Sequence, residues 1–187
     1  MSRAGYVLVG GRSSRMGRDK ASLPFRGGVL VQHVADVVQQ AAGSALLVGS
    51  PSKLGAVGYP IVPDIYPGEG PLGGILTVLQ HSRADWNLVV ACDMPAVTAD
   101  FLGGLLRAAE ASEADALIPR GPSGRLEPLC AVYHQRSRGA LYQAFAEGTR
   151  KITAAFAGLR IAEIRVDEIM PLQNVNTPED WAAYDAK

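Results

Sequence analysis

The sequence predicts a layered α/β protein whose mostly parallel sheet is covered by helices on both faces. Three observations carry that prediction. Apolar runs of strand length recur without polar alternation, segments of helical period separate them, and unusually glycine-rich or polar segments follow the ends of strands.

In chain order, strands are expected at residues 6–9, 45–48, 88–91, 116–118, 129–133 and 161–166. Several of these runs lack the alternation of a strand with one wet face, so they read as strands buried on both sides. Helices are expected at residues 29–42, 72–80, 101–110 and 137–147. In the first, Leu30, Val34, Val37, Val38 and Ala41 fall on one face; in the last, Leu141 and Phe145 stand four apart. Coil is expected at 49–60, 63–71, 120–128 and 171–177. No internal repeat, low-complexity tract or linker divides the chain, so residues 1–187 read as a single domain, a three-layer α/β/α, Rossmann-like fold. In such open sheets ligands bind beyond the carboxyl ends of strands, where GGRSSRMGRDK, CDMP and NVNTPED are expected.

Composition removes several classes of function. The 18 basic and 18 acidic residues cancel, so no global field draws the protein to nucleic acid or to an anionic membrane, and any phosphate recognition must be local. The apolar run before the first glycine pair is too short for a signal peptide or a membrane span, which predicts a cytoplasmic protein. Cys92 and Cys130 lie far apart without paired spacing; they read as buried small apolar residues, not as a disulfide or a zinc site. His33, His81 and His134 form no cluster, and His33 reads as a residue on the face of the first helix. Met16 and the aromatic residues read as packing.

The segment VLVGGRSSRMGRDK, residues 7–20, is the most informative. It is not a P-loop, because five residues separate Gly11 from Gly17 and the latter is followed by Arg18 and Asp19. Nor is it G-x-G-x-x-G, because Gly10 and Gly11 are adjacent and the third glycine is missing. What remains is a third kind of polyphosphate cradle. Adjacent glycines let backbone N–H groups approach a ligand, and Arg12, Arg15, Arg18 and Lys20 supply charge. An exposed basic turn with solvated charges is the plainer alternative.

On these residues the chain resembles the molybdenum cofactor guanylyltransferases, the MobA family, whose first loop reads L-A-G-G-x-S-x-R-M-G-x-D-K; Val9 stands where that family usually has Ala. The family is similar to the wider nucleotidyltransferases of glycosyltransferase-A-like (GT-A-like) fold. Four further segments that the family expects follow in order: PDIYPGEGPLGG, ACDMP, RLEPLCAVY and NVNTPED. The resemblance therefore spans the chain. It implies a nucleotide-binding half at about residues 1–95 and an acceptor-binding half at about 96–187.

Each segment also has its own physical reading. The apolar strand ahead of CDMP ends on Asp93, with Pro95 stopping it, and a lone carboxylate at a sheet edge suits Mg²⁺. A capping role for Asp93 is the alternative, although Thr98 is better placed to cap the next helix. The resemblance makes Asp93 the metal ligand. Asp64 lies on a Pro/Gly-rich loop leading into a helix; by resemblance it contacts the nucleotide, with Gly73 and Gly74 letting the helix start approach the base. In NVNTPED, Thr177, Pro178 and Asp180 make a capping box for a helix at 179–186, which leaves Asn174 and Asn176 for the acceptor role that the resemblance suggests. Arg150 and Lys151 fall at a helix start, where they either meet an anion or are solvated. Glu127, a carboxylate beside a polyanionic acceptor, is out of place unless it pairs with Arg120 or Arg125.

The implied reaction is nucleotidyl transfer from GTP to the terminal phosphate of molybdopterin. Asp93 would hold Mg²⁺, Lys20 and Arg15 would offset phosphate charge, and the backbone of Leu8, Val9, Gly10 and Gly11 would cradle the nucleotide. Such a transfer needs no histidine or serine nucleophile. The implied partners are GTP, molybdopterin and, transiently, other proteins of molybdenum cofactor synthesis, with no nucleic acid and no membrane. Gly49 or Ser50 stands where the family often carries Asn after its second strand, which leaves a molybdopterin cytidylyltransferase as the neighbouring alternative. A transferase using another phosphorylated acceptor, and a binding module without chemistry, are the remaining readings.

Overall fold

The structure, a computed structural model, describes residues 1–10, 23–54, 57–168 and 170–175. Strand β1 (Arg3–Leu8) is followed by a short antiparallel hairpin, β2 (Pro24–Phe25) and β3 (Gly28–Val29), and by helix α1 (Leu30–Ala42). Next come β4 (Leu46–Gly49), a one-turn helix α2 (Pro51–Leu54), β5 (Ile61–Pro63) and α3 (Pro71–His81). The second half runs β6 (Trp86–Ala91), α4 (Ala99–Glu110), β7 (Ala116–Arg120), β8 (Cys130–His134), α5 (Arg138–Ala146), a 3₁₀ helix at Ile152–Gly158, β9 (Ile161–Arg165) and a 3₁₀ turn at Met170–Leu172.

All six expected strands and the four helices expected between residues 29 and 147 are present. The coil expected at 49–60 contains α2, and β5 and the β2–β3 hairpin had no counterpart in the sequence reading. The seven-stranded sheet has the order β5-β4-β1-β6-β8-β7-β9. It is parallel throughout except around β8, which runs antiparallel to both β6 and β7.

Two apolar layers flank this sheet. One packs α1 and α4, with Val34, Val38, Leu102 and Leu106 fully buried, against Val7, Leu88 and Val90. The other packs α3, α5 and the 152–158 helix against Tyr6, Leu8 and Val89. Neighbouring residues of β1 thus serve opposite layers, as the pleat requires. Both Cys92 and Cys130 are buried. Among the described residues no helix is long and apolar enough to cross a membrane.

At the amino-terminal edge of the sheet, away from the ends of β1 and β6 that carry the loops described below, Asp115 is fixed by the Arg160 N–H at 2.9 Å and by Arg136 Nε at 2.6 Å. Burial by itself would raise this carboxyl, but those hydrogen bonds outweigh it and hold the group at about 2. A depressed carboxyl contributes stability above its ordinary value near 4 and loses it as pH falls toward the folded value. The excess stability of the wild type over Asp115→Asn, measured by urea unfolding, should therefore be full at neutral pH and shrink as pH falls from about 4 to about 2.

Candidate active site

The sheet changes direction of growth at β1, where α1 leads out to β4 on one side while α3 leads back to β6 on the other. That switch point is where an open α/β sheet presents a crevice. Parallel pairing sets Leu8 opposite Ala91, and the Cys92 N–H donates to Leu8 O at 3.1 Å. Gly10 and Asp93 each lie two residues beyond that matched pair. Val9 and Gly10 therefore leave β1 beside the start of the CDMP loop.

Backbone pairing at the end of β1 is nearly saturated. Leu8 O accepts from Cys92, and the Val9 N–H donates to Val48 O at 2.8 Å. The exposed Gly10 is the first residue whose backbone is open toward a ligand, and a Cβ there would meet nothing within 4 Å. The Leu8 side chain packs on Gly74 of α3. Gly49, at the position of the family asparagine, is closed by Val9 O, which lies only 2.5 Å from where its Cβ would be. The exposed Ser50 is the side chain presented there.

Asp93 is half-buried, with Oδ1 closed off from solvent. Its loop is fixed from several sides. The Ala91 N–H donates to Leu129 O at 2.7 Å, Met94 is buried beneath, and His33 Nε2 of α1 lies 3.1 Å from Pro95 O. A carbonyl only accepts, so Nε2 carries the proton, and burial lowers the pKa of His33, which favours this neutral form. The helix-face reading of His33 thus gains a specific task. Thr98 caps α4 by accepting from the Phe101 N–H at 3.2 Å, so Asp93 is not the cap.

NVNTPED does not directly follow a strand, because β9 ends at Arg165 and the 3₁₀ turn at Met170–Leu172 intervenes. It reaches the site all the same, since the Val175 N–H donates to Asp93 O at 2.8 Å. Asn174 is thereby drawn in, and its Oδ1 is buried without a hydrogen-bond partner.

Asp64 has a structural duty. Its Oδ1 accepts from the Tyr66 N–H and from Thr77 Oγ1 of α3, each at 3.0 Å, while Thr77 accepts from the Ile65 N–H at 3.1 Å. Gly73 makes room for the same loop, because a Cβ there would lie 2.9 Å from Tyr66 Cβ. The tight approach at Gly73 is thus filled by Tyr66.

A cavity of about 660 Å³ opens next to the CDMP loop, reached by Met94, Asn174 and Pro71 at the start of α3. Its far wall is Arg125 through Leu129, with Arg150, Lys151 and Ile152. Arg150, although exposed, is engaged within the fold. Its Nε pairs with Glu69 at 2.6 Å, its Nη1 donates to Phe145 O at 2.8 Å, and the guanidinium stacks 4.1 Å from the Phe145 ring centroid. Lys151, at the N-cap of the 152–158 helix, is exposed and has no ion-pair partner among the described residues. Glu127 pairs with Arg125 at 3.7 Å, whereas Arg120 is taken by Glu163 at 2.6 Å. Burial and the nearby Glu127 push the Cys130 thiol up to about 12, which leaves it inert.

Gly11, Arg12, Arg15, Met16, Arg18, Asp19, Lys20, Asn176, Thr177, Pro178 and Asp180 lie outside the described residues, as does the helix expected at 179–186. Sequence reasoning missed the Thr77 anchor and the His33 contact. A threonine inside an apolar helix face and a histidine beside valines are the only local signals of either.

The model of the MobA-like NTP transferase domain matches residues 5–162. The chain belongs to this family. It is an NTP transferase by that membership, and the resemblance drawn from its motifs is borne out. Among its relatives, a probable molybdenum cofactor guanylyltransferase of Bacillus thuringiensis (strain Al Hakam) is 31% identical over 190 residues, covering 95% of this chain and 93% of the relative. The crystal structure of molybdopterin-guanine dinucleotide biosynthesis protein A from Archaeoglobus fulgidus matches with a TM-score of 0.85 at 27% identity, over 98% of this chain and 97% of that one. The fold is shared with Rv0371c of Mycobacterium tuberculosis, solved as a manganese complex, at a TM-score of 0.71 and 21% identity over 98% and 97% of the two chains.

The anchor of Asp64 makes a quantitative prediction. Thr77→Val keeps the shape but strands the Ile65 N–H and one Asp64 contact, and should cost about 1–3 kcal/mol in urea unfolding, while Thr77→Ser should recover most of it.

Proposed function

We propose that this MobA-like transferase moves GMP from GTP to the terminal phosphate of molybdenum-loaded molybdopterin. The observation that carries this reading is the cavity that opens next to the CDMP loop, lined by Met94, by Asn174 and by Lys151, a cation with no ion-pair partner among the described residues. The names of its relatives point the same way.

An oxygen of the acceptor phosphate attacks the α-phosphorus of GTP, a new P–O–P bond forms, and the α–β bond breaks with its electron pair leaving on pyrophosphate. The nucleophile is already an anion at neutral pH, so no general base is required. Positioning and charge neutralisation carry the rate. Gly10 and Gly11 would receive the triphosphate, with Lys20 and Arg15 offsetting its charge. Asp64 would face the nucleotide through the oxygen not engaged by Thr77, and Asn174 and Asn176 would face the acceptor. Residues 1–95 thus act as the nucleotide half and 96–187 as the acceptor half.

The residues fit a hard divalent cation. The Asp93 carboxylate and the buried, unpartnered Asn174 Oδ1 lie on segments joined by the Val175–Asp93 hydrogen bond. Among the described residues no three His, Cys, Asp or Glu side chains gather as a metal site. Mg²⁺ suits such a place, since it takes one or two protein oxygens and completes its shell with phosphates and water. Bound there, it would neutralise charge on the reacting phosphates. A cytoplasmic location, where GTP is supplied, with product passing to other proteins of cofactor synthesis, completes this reading.

Pyrophosphate release with molybdenum-loaded molybdopterin and Mg²⁺ should occur with GTP and not with CTP, ATP or UTP. Release with CTP alone would make the enzyme a cytidylyltransferase, and silence with all four would exclude this acceptor. Asp93→Asn should keep the circular dichroism spectrum and lose about a hundredfold or more in kcat; an unchanged kcat would remove Asp93 from the metal site.

A further inference from the structure

The acceptor wall holds a carboxylate in a place meant to receive a polyanion. Glu127 sits on the connection between β7 and β8, and both its backbone groups are engaged. Its N–H donates to Pro119 O at 2.9 Å, and its C=O accepts from the Cys130 N–H at 3.1 Å. The side chain is only 18% exposed, and burial raises its carboxyl above the ordinary value while Arg125 opposes that rise. Arg125 is itself 78% exposed and 3.7 Å away. A contact so loose and so well screened contributes little, and it does not explain a carboxylate turned into a cleft.

The cavity has two chemically different regions. Lys151 offers a positive charge that no described residue pairs, Glu127 offers two acceptor oxygens, and Leu126, Pro128 and Ile152 add apolar surface. A pocket for phosphate alone would exclude Glu127, because like charges at contact distance repel. An acceptor with an anionic end and a flat donor-bearing end would use both regions. On the reading of this cleft as the acceptor site, the flat end is a pterin, whose pyrimidine edge carries the 2-amino N–H and N3–H side by side. Two parallel N–H donors match the two oxygens of a carboxylate, as a guanidinium fork does.

We propose that Glu127 is the residue that selects a pterin, its carboxylate accepting from the 2-amino group and from N3–H while Lys151 faces the phosphate end. The assignment rests on the proposed acceptor site. It concerns recognition and not the transfer itself.

The test uses the full chain and two fluorescent probes without phosphate, 6-hydroxymethylpterin and 6-hydroxymethyl-lumazine, in which a 2-oxo group replaces the 2-amino group. The wild type should bind the pterin roughly tenfold more tightly than the lumazine. Glu127→Gln should abolish or reverse that preference, because an amide matches the lumazine edge of one acceptor and one donor, while Glu127→Asp should keep its direction. Retention of the wild-type preference by Glu127→Gln, or no preference in the wild type, would overturn the assignment. In turnover, Glu127→Gln should raise KM for molybdopterin roughly tenfold and leave KM for GTP unchanged; an unchanged molybdopterin KM would overturn the assignment while leaving the transferase reading intact. A wild type that discriminates between the probes yet releases no pyrophosphate from GTP and molybdopterin would instead overturn the transferase reading.

Discussion

The parallel register of β1 on β6 is the constraint on which the site depends. With Leu8 opposite Ala91 and the Cys92 N–H bonded to Leu8 O, the two strands leave the sheet side by side, and Val9 and Gly10 lie beside the start of the CDMP loop before any side chain is considered. Burial defends that register. Val7 fills one apolar layer while Tyr6 and Leu8 fill the other, so a slip of one residue would turn every one of them to the wrong face. The Val175–Asp93 hydrogen bond then ties a distant part of the chain to the same edge.

Several charges among the described residues are committed to structure. Arg3 with Glu110, Arg120 with Glu163, Arg136 with Asp115 and Arg150 with Glu69 all form close pairs. A net charge of zero therefore coexists with places where a local charge remains available, such as Lys151 at the cavity. Asp64 is likewise engaged, since its Oδ1 holds the loop to α3.

What was legible in the sequence was whatever a local pattern controls. The fully buried strands appear as apolar runs and the amphipathic helices by their period, and Asp93 is legible because it stands where such a run stops. Asn87 hid the true start of β6, because a buried asparagine whose amide reaches Tyr133 O breaks an apolar run. The three residues of β5, ending in proline, are too few to show a period. The reversed direction of β8 leaves no mark at all, since an apolar strand reads alike in either sense. In the site, the contacts that were missed join residues far apart in the chain. Thr77 meets Asp64 and Val175 meets Asp93 only after the sheet has formed, and the glycine at position 73 looked like a ligand approach until Tyr66 occupied the space.

The reversal at β8 has an evolutionary consequence. Because β7 and β8 are adjacent antiparallel strands, the wall segment between them is a hairpin connection with both ends clamped in the sheet, and no helix crosses over inside it. Its tip, ahead of Glu127, can drift or lengthen, whereas Leu129 must hold its place, because its O accepts from the Ala91 N–H at the end of β6. A fold organised in this way can vary one wall of its cleft by remodelling a single hairpin tip.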